Sequence, residues 1–200
     1  MRKSLVLATL VVLCSSLTSF AGVPDPSRSG VEATGQGVGC QYRFRADGGL
    51  DGLDVLITLR DAFDDVVGNC STSVTLTPNA GTLAYCNCCP STVGGVTAVD
   101  GTLSLGTWRC IGGRGTLDIC VTAHCQGNIA IGCTEINFTA PDLDGDCLDT
   151  DVIDLGIWAG GISPYKQESD YNCDGTVSVI DLGIWAGGLG LSCTDCPSCP

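Results

Sequence analysis

Ten residues, Val152-Ile153-Asp154-Leu155-Gly156-Ile157-Trp158-Ala159-Gly160-Gly161, return letter for letter at positions 179–188. A repeat of that fidelity in a chain of 200 residues is a duplication, so one local structure has to form twice and bury its apolar side twice. Leu155, Trp158, Ala159 and Ile162 share one side at helical spacing, as do Leu182, Trp185, Ala186 and Leu189. The pattern predicts two short helices with a small shared core, each ended by its Gly-Gly pair; exposed docking contacts are the sharper reading of the tryptophans. An acidic run precedes each copy, and ten of the 22 carboxylates fall between Asp142 and Asp181. The formal charge of −13 therefore has a location where cations could neutralise it. It argues against a nucleic-acid partner, whose phosphates need Lys and Arg.

Before the second copy, Asp170, Asn172, Asp174, Ser178 and Asp181 set side-chain oxygens at positions 1, 3, 5, 9 and 12 of a loop. Gly175 stands at position 6, and Thr176 brings a backbone carbonyl to position 7. Calcium takes about six to eight hard oxygen ligands around one point, and this is the EF-hand spacing that supplies them. Before the first copy, Asp142, Asp144 and Asp146 match positions 1, 3 and 5, but aligning Asp154 with Asp181 leaves one extra residue, and Cys147 replaces the turn glycine. Either the loop bulges near Leu148 to Thr150, or Asp149 or Asp151 replaces a ligand. Cysteine adopts the position-6 conformation reluctantly, so the first site is expected to be the weaker. The expectation is two calcium ions; the plainer alternative is a pair of solvated acidic turns. Zinc is disfavoured by the oxygen-rich loops, and the lone His124 lies elsewhere.

At the other end, Arg2 and Lys3, an apolar run from Leu5 to Leu13 and small residues up to Ala21 have the order of an export signal cut near Ala21. The run is shorter than the roughly 20 residues a membrane span needs, so no membrane insertion is expected. Leu13 before Cys14 weakens a lipoprotein reading. Export turns most cysteines into disulfides. Beyond the signal, nine cysteines lie in 22–140 and five in 141–200. Both groups are odd, so complete pairing requires at least one bridge between them. The clusters Cys86-Asn87-Cys88-Cys89 and Cys193 to Cys199 could hold a soft metal, but disulfides are the preferred reading.

Residues 22–140 predict an all-β unit. Apolar residues alternate at Val55, Ile57, Leu59, at Val74, Leu76, at Leu117, Ile119, Val121 and at Ile136, Phe138, with Gly, Asn, Asp and Pro turns between. The turn spacing and the length favour one sandwich of immunoglobulin type. The stretch LDVLITLRDAFDDVVGNCSTSVTLTPNAGTL, residues 53–83, resembles the repeating β-sandwich domains of bacterial surface proteins of the invasin and intimin kind. That resemblance implies a spacer or binding module. The cysteine density departs from the family.

Residues 141–191 resemble a type I dockerin, through the closing Asp181, the apolar Val177 at position 8 and the paired loop-helix repeats. The resemblance implies that Val152-Ile153 and Val179-Ile180, the pairs just before the closing aspartates, recognise a cohesin-like partner, in two orientations because the pairs are identical. Core packing is the competing reading of these pairs, and the preferred one. The fold expected is an all-β immunoglobulin-like sandwich (22–140) followed by a small α-helical dockerin/EF-hand-like domain (141–191) and a Cys-rich tail (192–200). The function expected is a secreted or cell-surface, non-catalytic, calcium-binding protein that docks a cohesin-like partner in polysaccharide-related or surface assemblies. The alternative is a structural or adhesive surface protein rigidified by calcium. Dockerins often accompany polysaccharide-degrading enzymes, but no carboxylate pair in a cleft and no motif around His124 supports hydrolase activity.

Overall fold

Period-two alternation of buried and exposed residues decides the larger unit. In the computed structural model, residues 22–35, 40–44, 53–85, 91–108 and 111–191 are described. The expected signal (1–21), the Cys86-Cys88-Cys89 cluster and the Cys-rich tail (192–200) lie outside the described residues. The strands are β1 (Gly30–Gly35), β2 (Tyr42–Arg43), β3 (Leu53–Thr58), β4 (Ser71–Tyr85), β5 (Thr92–Val96), β6 (Thr102–Trp108), β7 (Ile111–Ala123) and β8 (Ile129–Thr139). Leu53, Val55 and Ile57 of β3 face Val74 and Leu76 of β4, Leu117, Ile119 and Val121 of β7, and Ile136 and Phe138 of β8 in one buried core. Every position in the predicted alternations, Leu59 included, is buried.

The strands form a three-stranded sheet, β1-β3-β6, and a five-stranded sheet, β2-β8-β7-β4-β5. With β2 set aside as a short segment parallel to β8, the first, second and fifth strands share one sheet and the third, sixth and seventh the other. This is the immunoglobulin division of strands, with the fourth, β5, moved to the edge beside β4. Cys120 and Cys133 are opposed in the β7–β8 register and bonded to one another, and Cys70 is bonded to Cys125. Glycine lets β4 and β7 stay paired where they run close: Gly81 (φ +88°) and Gly115 (φ +128°) oppose each other, and a Cβ on either would strike the other strand's backbone.

The expected α-helical domain does not form. Among the described residues the helical structure is α1 (Val152–Ala159) and α2 (Val179–Ala186), eight residues each, with a three-residue 3-10 turn at Gln167–Ser169. The chain is mostly β, and 141–191 is largely loop. The reason lies at both ends of each repeat. Asp151 and Ser178 cap the helices through capping boxes with Asp154 and Asp181, so neither helix extends backward. At the other end Gly160 and Gly187 keep right-handed φ values of −65° and −64°, so the left-handed freedom of glycine is not what stops the helices. The second glycine of each pair is required by close contact: a Cβ on Gly161 would strike Ser169, and one on Gly188 would strike Pro141.

The repeat does build the predicted shared core, but with help from the loops. Trp158 and Trp185 pack with Leu143 and Tyr171, one apolar residue from each acidic loop. Each indole N–H is satisfied by a backbone carbonyl, Trp158 by Ser169 and Trp185 by Pro141, both at 3.0 Å. Ile162 and Leu189, assigned to that core by spacing, are half exposed, Ala159 is exposed, and Ile157 and Ile184 pack against the core instead.

The repeat is fastened to the sandwich. Cys40 and Cys173 form a disulfide, a bridge between the two groups of the kind that the parity of the cysteines required. Gln41 donates to the Asp170 carbonyl at 2.8 Å, Tyr171 donates its hydroxyl to the Ala140 carbonyl at 2.9 Å, and Thr139 donates to the Glu168 carbonyl at 2.8 Å. The Gly113 N–H donates to the Asp142 carbonyl at 2.6 Å. No helix among the described residues is long and apolar enough to cross a membrane. Replacing Cys40 and Cys173 together by serine opens a loop of 133 residues in sequence separation. The expected loss in a denaturant titration is about 2–5 kcal/mol, with proteolytic cutting between the sandwich and the repeat made faster.

Candidate calcium loops

The two acidic loops have one backbone. Both turn left-handed at their fourth and sixth residues: Gly145 (φ +72°) and Cys147 (φ +62°) in the first, Cys173 (φ +59°) and Gly175 (φ +88°) in the second. Cysteine thus takes the reluctant conformation in each loop, at opposite places. Cys147, like Cys173, is disulfide-bonded.

This match fixes the register that the sequence left open. Asp142, Asp144 and Asp146 correspond to Asp170, Asn172 and Asp174, and Asp151 corresponds to Ser178, since each caps the following helix. The extra residue is therefore absorbed at Asp149-Thr150, opposite Val177, and Asp151 stands at the ninth position. The sequence carried that signal: Asp151 and Ser178 are the residues immediately before the identical tens.

The closing aspartates hold the loops shut. Asp154 is 2 % exposed and accepts from Leu143 N (2.7 Å) and Asp144 N (3.1 Å) with Oδ1 and from Asp151 N (2.9 Å) with Oδ2. Asp181, fully buried, accepts from Asn172 N at 3.1 Å with Oδ1 and from Ser178 N at 2.8 Å with Oδ2. The opening aspartates face them. Asp142 accepts from Gly145 N (2.8 Å) and Cys147 N (3.1 Å), and Asp170 accepts from Asp174 N (3.2 Å) and Gly175 N (2.9 Å). Asp170 also accepts from the Tyr165 hydroxyl at 2.8 Å, a contact with no counterpart in sequence reasoning. Asn172 and Thr176 both donate to Asp174.

In the first loop, one carboxylate oxygen from each of Asp142, Asp144 and Asp146 lies within 4.8 Å of the others. Calcium–oxygen bonds run about 2.3–2.6 Å, so two ligands facing each other across one ion would be about that far apart. The donor set is all oxygen, which suits calcium over zinc. Asp154 reaches that cluster through the Leu143 and Asp144 N–H groups; in the second loop Asp170 and Asp181 are buried, Asn172 is half-buried, and Asp174 and Thr176 are exposed.

Burial pushes the Asp142 carboxyl up to about 6, with Asp154 and Asp144 adding to the rise against the hydrogen bonds it accepts. Burial raises Asp154 as well. Asp174, exposed, is held low by the Thr176 hydroxyl and the Asn172 amide.

Of the residues assigned to partner recognition, none is in the core. Val152 is 76 % exposed, Ile153 55 %, Val179 78 % and Ile180 58 %, which overturns the core reading of these pairs. They begin the two helices, on the side away from the tryptophans. Elsewhere, Ser73 Oγ lies 2.9 Å from His124 Nε2, and His124 Nδ1 lies 2.8 Å from Asn128 Oδ1. This has the order of a nucleophile, base and orienter, but Ser73 sits within a strand paired on both sides, its main chain committed to β5 and β7. It pins the β7–β8 turn to β4.

No protein-family model and no curated protein matches the chain. Among solved structures, it is similar to Yersinia pseudotuberculosis InvD at 19 % identity, over 60 % of this chain and 30 % of that one, with a TM-score of 0.39. Invasin, described as a bacterial integrin-binding protein, matches at 18 % identity over 60 % of this chain and 21 % of its own, TM-score 0.39. The D00-D0 domain of intimin matches at 13 % identity over 54 % and 45 %, TM-score 0.33. The chain spans less than a third of the first two, and the immunoglobulin division of strands rests on its own topology.

The pH dependence has a defined sign. A carboxyl raised from 3.8 to about 6 by folding contributes stability that is full below its unfolded value and lost as pH rises through 6. Chelated protein should therefore melt at a lower temperature at about pH 7.5 than at about pH 5. Calcium affinity should run the other way, rising through pH 6 as the ligand deprotonates. Thermal melts with chelator and calcium titrations across that range check both.

Proposed function

We propose that this chain is an exported structural or adhesive surface protein, without catalytic activity, in which two calcium ions rigidify the repeat and its seat on the sandwich. The observation that carries this reading is the double duty of the second loop. Asp170 offers its carboxylate to the loop interior and its carbonyl to Gln41 of the sandwich. Tyr171 is buried between the two tryptophans and Ala140, and Cys173 is bonded to Cys40. An ion bound by Asp170, Asn172, Asp174 and Asp181 would draw these groups together and so stiffen the junction itself. In the first loop Asp142, Asp144, Asp146 and Asp154 would do the same beside Gly112 and Gly113, where the absent side chain at Gly112 leaves room for the Asp142 carboxylate. Calcium supplies positive charge that offsets repulsion among clustered carboxylates. The protein supplies loops whose backbone N–H groups already orient them. Disulfides between strands fit an oxidising compartment.

A second reading, docking of a cohesin-like partner through Val152-Ile153 and Val179-Ile180, is favoured by one observation: the two pairs are exposed and stand at equivalent helix starts. Capture of a secreted protein that is lost on chelation and on a Val179→Ala, Ile180→Ala, Val152→Ala, Ile153→Ala variant would support it. Capture unaffected by the variant would remove it.

A calorimetric calcium titration of the oxidised chain should show two sites. The double variant Asp170→Ala, Asp181→Ala should lose one, and Asp142→Ala, Asp144→Ala the other. At calcium a hundredfold above Kd each ion should stabilise the fold by about 2.7 kcal/mol. Absence of binding at millimolar calcium would overturn the calcium reading.

A further inference from the structure

Where the repeat meets the sandwich, a cavity of about 340 Å³ opens over three adjacent strands. That is near the lower end of small-molecule sites, which run roughly 300–1,000 Å³. Its position follows from sequence. Gly81 of β4 and Gly115 of β7 oppose each other in the register and line the cavity beside Ala80 and Thr116, so small residues form this part of its wall. The turn at Gln167–Ser169 stands over it as a wall, and Gln41 and Asn137 complete the rim.

The rim chemistry is specific. Among the described residues its charged lining residues are Arg114 and Glu168, 3.7 Å apart and opposite in sign. Side-chain amides make up much of the rest. They are held in place through their nitrogens: Gln41 donates to the Asp170 carbonyl at 2.8 Å, Gln167 to the Cys40 carbonyl at 2.7 Å, and Asn137 to the same carbonyl at 3.4 Å. Groups anchored before a ligand arrives lose little freedom on binding. Amides and an Arg–Glu pair offer donors and acceptors side by side without net charge, and this matches vicinal hydroxyl groups, each of which both donates and accepts. An anion would meet Glu168, and an apolar ligand would leave the amide oxygens and the Arg114–Glu168 pair without a partner from the ligand.

We infer that this junction cavity is a binding site for a neutral saccharide, taken as a single ring or the end of a glycan, with Asn137, Gln167 and the Arg114–Glu168 pair contacting its hydroxyls. The inference goes beyond the calcium reading and does not rest on it. The site uses none of the loop carboxylates.

Saturation-transfer NMR on the oxidised chain with glucose, galactose, mannose, N-acetylglucosamine and cellobiose, each beside glucuronate, tests it. The expected result is transfer to at least one neutral sugar, with Kd of about 1 mM. Asn137→Ala should weaken it by about tenfold, the loss of a ligand hydrogen bond or two. Ala80→Trp, at an exposed rim position, should abolish it by filling the cavity, with the melting temperature of both variants unchanged. No transfer to any neutral sugar, stronger binding of glucuronate, or transfer that survives Ala80→Trp would each overturn the proposal.

Discussion

Four aspartates that are almost wholly removed from water govern the C-terminal part of the molecule. Asp142, Asp154, Asp170 and Asp181 are each 4 % exposed or less. Taking an isolated carboxylate out of water costs several kcal/mol, so each must find partners. They find them in the main chain: the N–H groups of loop residues and of the helix starts converge on these oxygens. That requirement explains the left-handed residues, which turn N–H groups inward, and the capping boxes, which tie helix starts back to loop starts. The helices are a consequence of the loops more than the reverse.

The second constraint is how near the parts can come. Gly112, Gly161 and Gly188 stand where a single Cβ would collide with Asp142, Ser169 and Pro141. Gly112 lets the first loop lie against the sandwich, while Gly161 and Gly188 let the repeat close on itself, with Tyr171 and Trp185 reaching the Ala140 and Pro141 carbonyls just beyond β8. Gly81 and Gly115, which let β4 and β7 pass close together, also line the hollow beside the Gln167–Ser169 turn.

Much of this was legible in the sequence, and the exceptions have physical reasons. The sandwich core announced itself because burial on one face of a strand imposes period two, and Val55, Ile57, Leu117 and Phe138 obey it. The tryptophan core was legible in part: helical spacing placed Trp158, Trp185, Leu155 and Leu182, but Ala159, Ile162 and Leu189 lie outside it. The α-helical domain was not, because an exact repeat advertises its helices while the bonds that shape the loops belong to the main chain and leave no periodic trace. Burial of Val152 and Ile153 was wrongly expected for a related reason: their apolar character says nothing of direction, and the cap at Asp151 turns them outward. The parity of the cysteines demanded a bridge between the two parts. Which cysteines met depended on the docking of Gln41 and Tyr171, contacts between single residues far apart in sequence.

The bridge from Cys40 to Cys173 has a mechanical meaning. A pulling force applied on either side of this pair travels through the sulfur atoms and bypasses everything between them: the strands from β2 to β8, the first acidic loop and α1. Those elements lie off the covalent path of the force, whereas β1, which precedes Cys40 and pairs with β3, lies on it. The duplicated loops, alike in backbone, are thus unlike under tension: one is enclosed within the protected ring, and the other carries the point at which the force leaves it.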